Sequence, residues 1–450
     1  MKATERSGFP WATFVALSMG MIVYGLAESY GPVSDASGIV PPRYAWLGYS
    51  LPFIFGGVGA LLAGYLTDRL GRRRAFLVTS ALIVIGLLLY VPIYLNLVSS
   101  SNALPLLVAS MALVGMAAIG LETPVLVAIA ESTSPSYRSK LLVLAPNFGN
   151  LGVALAFVPL IIMHGQGALT AQTEVALLLM YLAPVAALVI AWLKASESLP
   201  WLALKNGTLR VDEAWRQVDG GAQPVVPTTG LRARLATLLA LGISQDVAFV
   251  YITYGVAGAF LPSATLFGLQ ATTLIPMVGG FLMTAVGVLT GLFISGKMER
   301  RSFALLSFSL QAVLWAALAA ALYASGLTLN ALVLLLFALN FIPLELTWAA
   351  RALLEPELFP TNVRGLYVSV VRASVWIVTG LITGLLTYVP QLATEFVPAA
   401  VTMGIVAVIG AGAAAAWKIF GFETGNRSLL GLDLHHMGVT AVGDSGEKGK

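Results

Sequence analysis

Gly64-Tyr65-Leu66-Thr67-Asp68-Arg69-Leu70-Gly71-Arg72-Arg73-Arg74 carries five charges in eleven residues. It follows an apolar run long enough to cross a bilayer, and a second apolar run begins at Ala75. The stretch therefore reads as a tight polar hinge between two membrane helices, with its arginines expected on the cytoplasmic side. Gly64 and Gly71 permit a close helix approach and a tight turn, and Asp68 can accept charge-assisted hydrogen bonds from arginine.

Composition supports that reading. Of 450 residues 58% are hydrophobic and only 10% charged, against roughly 25% charged in a soluble domain. The chain is predicted to be an all-α polytopic membrane protein. Its net charge of +4 fits loop arginines facing an anionic leaflet better than nucleic-acid binding. Without cysteine it has no disulfide and no thiolate metal or redox site. The histidines are His164, His435 and His436, and no metal site is expected. Lys2 and Arg6 precede an apolar run that is too long for a signal peptide and lacks an A-x-A site, so it reads as the first span.

A span needs about 20 apolar residues, which predicts twelve: 11–31, 44–67, 75–97, 105–130, 139–164, 174–194, 235–261, 269–295, 303–325, 330–353, 365–389 and 396–420. Lys and Arg fall at the termini and in the even-to-odd loops: Arg69 to Arg74, Arg138 and Lys140, Lys194 to Arg234, Lys297 to Arg301, and Arg364. The opposite loops hold Arg43. Both termini are therefore expected in the cytoplasm.

The expected organisation is an N-terminal six-helix bundle (1–194), a partly helical cytoplasmic linker (195–234), a C-terminal six-helix bundle (235–420) and a tail (421–450) that loses order toward its end. The halves repeat each other. Glu131 precedes Arg138 by seven residues, with Pro135 between, as Glu357 precedes Arg364, with Pro360 between. Gly64 to Arg74 corresponds to Gly291 to Arg301, with Ser295 in the place of Asp68. Glu197-Ser198 after span 6 echoes Glu423-Thr424 after span 12.

These segments resemble those of the major facilitator superfamily, in the branch of sugar porters, metabolite–proton symporters and organic-ion transporters. Glu197-Ser-Leu-Pro-Trp201-Leu202 is similar to that branch's Pro-Glu-Ser-Pro-Arg-Trp-Leu, without the arginine, and Glu423-Thr-Gly-Asn-Arg427-Ser-Leu429 to its Glu-Thr-Lys-Gly-Arg-Ser-Leu. Gly115-Met-Ala-Ala-Ile-Gly120-Leu-Glu122-Thr-Pro124 resembles the fourth helix of the metabolite symporters, with Met111 where an arginine is usual. The resemblance implies a cytoplasmic gate of weak, exposed ion pairs that holds an outward-open state. Gly64, Asp68, Gly71, Arg72, Glu131, Arg138 and Glu197 would build it in the first half, and Arg300, Glu357, Arg364 and Glu423 in the second.

Four acids fall within spans: Glu28, Glu122, Asp246 and Glu345. Intramembrane carboxylates are costly and mark ion or proton sites. In the family fold spans 1, 4, 7 and 10 line the cavity, so the four are expected to couple protons. Glu122 lies nine residues before Glu131, ~13–14 Å along a helix. Arg372 lies eight residues beyond Arg364, ~12 Å deep. It is expected either to bind an anionic substrate or to pair with Glu345 or Asp246, and Arg351 to pair with Glu355 at i+4. Asn147, Asn150, Gln245, Asn340 and Trp348 complete the expected substrate site. Sugar porters carry Gln-Gln-x-x-Gly-x-Asn in span 7, from which Ser244-Gln245-Asp246 departs.

The function expected is proton-coupled symport of a small polar organic solute, an organic acid or a sugar, by alternating access. The alternative is proton-antiport export of organic cations or drugs. No nucleophile, metal or nucleotide motif points to an enzyme, and no cofactor is expected. The expected setting is the plasma membrane, with solute, protons and lipid as partners, no nucleic acid, and the chain a monomer.

Overall fold

In the computed structural model, residues 11–36, 44–89, 91–94, 97–162, 185–207, 209–266, 268–388 and 395–438 are described. Among them, eleven helices are long and apolar enough to cross a membrane. Span 1 is Trp11–Glu28, span 2 Ala45–Leu70, span 3 Arg72–Leu88, span 4 Ser100–Ser132 and span 5 Pro135–Ile162. Of the expected sixth span, Val185–Lys194 is described. Span 7 runs through Leu231–Val250, Tyr251–Gly255 and Val256–Phe260, and span 8 through Ala271–Leu289 and Thr290–Ile294. Spans 9 to 12 are Arg300–Ala324, Ala331–Glu357, Arg364–Tyr388 and Phe396–Phe420. Arg43 and His164 lie outside the described residues.

Helical hydrogen bonding continues past the apolar limits into the polar ends. Span 2 thus carries Asp68 and Arg69 on its last turn, and spans 3 and 9 start on Arg72 and Arg300. The break between spans 2 and 3 is the single residue Gly71, at φ 99°, where a side chain would be strained. Spans 7 and 8 each contain a wider π turn, Tyr251–Gly255 and Thr290–Ile294.

The halves meet along span 2 against span 11 and span 5 against span 8. The first contact needs glycine. A Cβ on Gly64 would lie 2.0 Å from Ser369 Oγ and 2.6 Å from the Gly365 carbonyl, so any side chain would push these helices apart. At the end away from the arginines, Thr265–Leu266 pairs with Leu269–Gln270, a two-residue hairpin that the all-helical reading omitted.

Two helices, Leu199–Asn206 and Val211–Asp219, follow Val185–Lys194. The described part of the tail is ordered. It adds the helix Leu430–His436, and its Ser428 N–H donates to the Gln223 carbonyl at 2.8 Å while Val225 N–H donates to the Ser428 carbonyl at 2.9 Å. Trp215 Nε1 donates to Asp433 at 2.8 Å, fixing the tail helix to the linker helix.

Candidate functional site: a charged cavity above a closed gate

Span 10 presents Glu345, Trp348, Arg351 and Glu355 at spacings of three and four, which places them along one face. Arg351 is held by Asp246 of span 7 at 2.8 Å and by Glu355 at 2.8 Å, and it also donates to the Gln245 side-chain oxygen. Arg372 of span 11 pairs with Glu122 of span 4 and, at 2.8 Å, with Glu355. Trp348 Nε1 donates to Glu122 at 3.1 Å. Two guanidiniums are thus enclosed by three carboxylates, all 4% exposed or less.

This cluster differs from expectation in its pairing. Arg372 was expected to meet Glu345 or Asp246 and instead meets Glu122 and Glu355. The reason is depth. Glu122 stands nine residues in from Glu131 and Arg372 eight in from Arg364, so the two helices carry matching charges at two levels, and Arg364 pairs with Glu131 at the other. Glu355 entered the sequence reading only as the i+4 partner of Arg351; its spacing from Trp348 and Arg351 is the signal that assigns it to the same face.

The remaining expected residues divide. Glu28, at the end of span 1, lines the central cavity with Asn150, Gln245, Asp246 and Trp348. Tyr24 lines the same cavity, and Oε1 of Glu28 has no hydrogen-bond partner among the described residues. Glu345 lies beside the cavity and accepts from Asn150. Asn150 also donates to Asn147 at 3.1 Å, and Asn147 donates to the Thr284 carbonyl on span 8 at 2.9 Å. Asn340 is elsewhere: its amide donates to the Leu314 carbonyl of span 9 at 3.0 Å and to Leu336 at 2.8 Å. The expected substrate contact at Asn340 is therefore replaced by a helix-to-helix bond.

Aromatic and apolar residues supply the rest of the lining: Tyr24, Phe249, Met283, Leu344 and Trp376. Most of these sit three or four residues from a polar residue singled out in the sequence, as Tyr24 from Glu28, Phe249 from Asp246 and Trp376 from Arg372. Helical periodicity alone could have found them. The cavity's free volume is about 10 Å³, room for roughly one water.

Below the cavity, the residues expected to form a gate are joined across the two halves. Glu131 accepts from Arg72 at 2.8 Å twice, from Arg364, and from Ser198 Oγ at 2.6 Å. Glu357 accepts from Arg300 at 3.1 and 3.2 Å, from Arg138 at 3.1 Å, and from Thr424. The exposed, weak pairs of the sequence reading are corrected here. Arg72, Glu131, Arg138, Arg300, Glu357 and Arg364 are all at most 2% exposed, because the linker and tail cover them.

Asp68 accepts from the Gly365 and Leu366 N–H groups at 3.0 and 2.8 Å and meets Arg72 at 3.5 Å. It caps span 11 across the two halves, whereas Ser295 bonds back to Gly291 at 3.0 Å within its own helix. Glu197 takes the N–H groups of Arg72 and Arg73 at 2.9 and 3.2 Å. Glu423 likewise takes the Arg300 N–H at 3.1 Å, with Arg301 at 4.0 Å. These two acids serve chiefly as helix caps.

The linker and tail add two acids. Asp219 lies 3.9 Å from Arg138 and bonds to Ser428; burial pushes its carboxyl up to about 6, opposed by Arg138 and the Ser428 hydroxyl. Asp433 accepts from Thr361 N–H at 2.6 Å and Thr361 Oγ1 at 2.8 Å, and burial raises its carboxyl above the usual range. Neither was singled out in the sequence.

A family model for the Major Facilitator Superfamily matches residues 10–383. The facilitated trehalose transporter Tret1 of Polypedilum vanderplanki is 27% identical over 157 residues, 32% of this chain and 29% of that protein. Tret1 of Culex quinquefasciatus is 28% identical over 163 residues, 32% of this chain and 28% of that protein. The matched stretch thus spans less than a third of either relative. Among solved structures, the proton:xylose symporter XylE bound to 6-bromo-6-deoxy-D-glucose matches with a TM-score of 0.77 and 17% identity over 96% of this chain and 100% of that one. Inward-open XylE from E. coli matches at 0.67 and 16%, over 95% and 100%. The human organic anion transporter MFSD10 matches at 0.63 and 14%, over 91% and 100%. At these identities the likeness is one of fold.

Proposed function

This chain belongs to the Major Facilitator Superfamily, a family of transporters rather than enzymes, and on that premise we propose that it is a proton-coupled carrier of a small polar organic solute. The two halves (1–194 and 235–420) would rock about the central cavity, with the arginine-rich end in the cytoplasm and the protein in the plasma membrane. The observation that carries the coupling is the pairing of the four intramembrane acids. Glu122 and Asp246 are tied to arginines, while Glu28 and Glu345 have no ion-pair partner among the described residues. Glu28 and Glu345 can therefore gain and lose a proton without breaking an ion pair.

Of the two solute classes expected for uptake, the organic acid is the less favoured. An anion needs a free guanidinium, and both Arg351 and Arg372 are already enclosed by carboxylates. The trehalose and xylose transporters among the relatives support a polar, uncharged solute.

The test is reconstitution in liposomes with a pH-sensitive dye inside and an imposed proton gradient. The wild type should accumulate its solute and stop when a protonophore is added. Glu345→Gln should exchange solute yet accumulate less. Accumulation that persists with the gradient collapsed would rule out proton coupling.

A further inference from the structure

The groups expected to bind hydroxyls are already engaged. Asn147 donates to Thr284, Asn150 to Asn147 and Glu345, and the Gln245 oxygen accepts from Arg351. What remains open at the cavity is Oε1 of Glu28, in a side chain 4% exposed, together with the indole N–H of Trp376. No lysine or arginine pairs with Glu28 among the described residues, and Tyr24 lines the cavity with it. The rings of Tyr24, Phe249 and Trp348 line the same space. The neighbouring cluster adds more carboxylates than guanidiniums.

We propose that this cavity, whose present free volume holds roughly one water, widens when the two halves part and then takes an organic cation, a protonated amine or quaternary ammonium, with the positive group beside Glu28 and against the aromatic rings, and with Trp376 donating to an oxygen on the same solute. The assignment rests on the reading of this cavity as the transport site. A buried carboxylate without a counter-charge is costly, and aromatic faces attract the same positive group. A neutral sugar would offer an ionised Glu28 no counter-charge and leave it protonated, and a carboxylate solute would meet an excess of its own sign. One consequence concerns direction. Glu28 can hold either a proton or the ammonium group, and competition between them drives exchange, with the cation leaving one side as a proton enters from it.

The experiment is thermal unfolding of purified full-length protein with choline, tetraethylammonium, xylose or benzoate, followed by flux of the same solutes in liposomes. A cation that binds the folded protein raises its melting point in a saturating way. Glu28→Gln should weaken that binding about tenfold or more, as loss of a charged partner does, and Phe249→Leu should weaken it less while leaving the fold intact. The second variant serves if Glu28→Gln does not fold. Stabilisation by xylose or benzoate but by neither cation overturns the assignment, and so does cation binding that both variants leave unchanged. If a sugar is bound and carried, the transport reading stands and the cation assignment falls. If choline or tetraethylammonium binds through Glu28 but no solute crosses, the transport reading falls and the cation site stands.

Discussion

Glu131 and Glu357 occupy equivalent positions in the two halves, and each accepts from one arginine of its own half and one of the other. Glu131 joins Arg72 to Arg364, and Glu357 joins Arg300 to Arg138. Each carboxylate is thus a bridge between the halves, so the gate cannot open without separating at least one guanidinium from each.

Glu131→Gln and Glu357→Gln should therefore act alike. Either change leaves two buried arginines short of a counter-charge, at about 3–5 kcal/mol when a buried pair is broken. Distances between spin labels on the arginine-rich ends of spans 2 and 11 should lengthen in both. A shift in one mutant and none in the other would contradict the symmetry.

Asp68 should matter less. Its carboxylate faces the N-terminus of span 11, a contact of about 0.3–1 kcal/mol, and Asn keeps one acceptor oxygen. Asp68→Ala should open the gate more than Asp68→Asn, and both less than Glu131→Gln, in the same label measurement. Equal effects in Asp68→Ala and Glu131→Gln would show that the cap has been undervalued.

Arg372→Ala should leave Glu122 and Glu355 without their shared cation and lower the melting temperature sharply, by an amount corresponding to about 3–5 kcal/mol. Adding Glu122→Gln should restore part of the loss. Coupled residues show interaction energies of about 0.5–3 kcal/mol in such cycles. Additive losses in the double mutant would mean that the two side chains do not pair.

Tail docking should depend on pH through Asp219. Its carboxyl lies at about 6 against about 3.9 when free, so the docked state binds the proton more tightly. That contribution is complete below about pH 4 and is lost as pH rises through about 6. Hydrogen exchange of the tail helix should be slower at pH 5 than at pH 8 after correction for intrinsic rates. Asp219→Asn should flatten the difference, with the residual slope set by Asp433, which shifts in the same direction. An unchanged slope in Asp219→Asn would remove Asp219 from the account.

The membrane architecture was legible in Gly64 to Arg74 because apolar length and charge placement act locally along the chain. The repeated Glu-to-Arg spacing likewise singled out Glu131 and Glu357, the two carboxylates that bridge the halves. What the sequence did not reveal was burial and partner choice. Whether Arg372 meets Glu122 or Glu345 depends on how far the two helices run past each other, and no single helix records that. Asn340 shows the same limit: its amide type suggested a ligand, while its rotation on span 10 turns it toward the Leu314 carbonyl. Asp219 and Asp433 were overlooked because acids in a polar linker or tail look like solvated residues until the tail folds over them.

The deep pair also bears on how the protein is made. Span 10 carries Arg351 and Glu355 four residues apart, so its one arginine can enter the bilayer already matched. Span 11 carries Arg372, which meets Glu355 of span 10 and also Glu122, synthesised 250 residues earlier. Each unmatched charge costs about 2.5–3.5 kcal/mol at the centre of an inserting helix. Glu122 must therefore wait in the membrane through most of translation, and the arrival of span 11 is the step that closes the assembly.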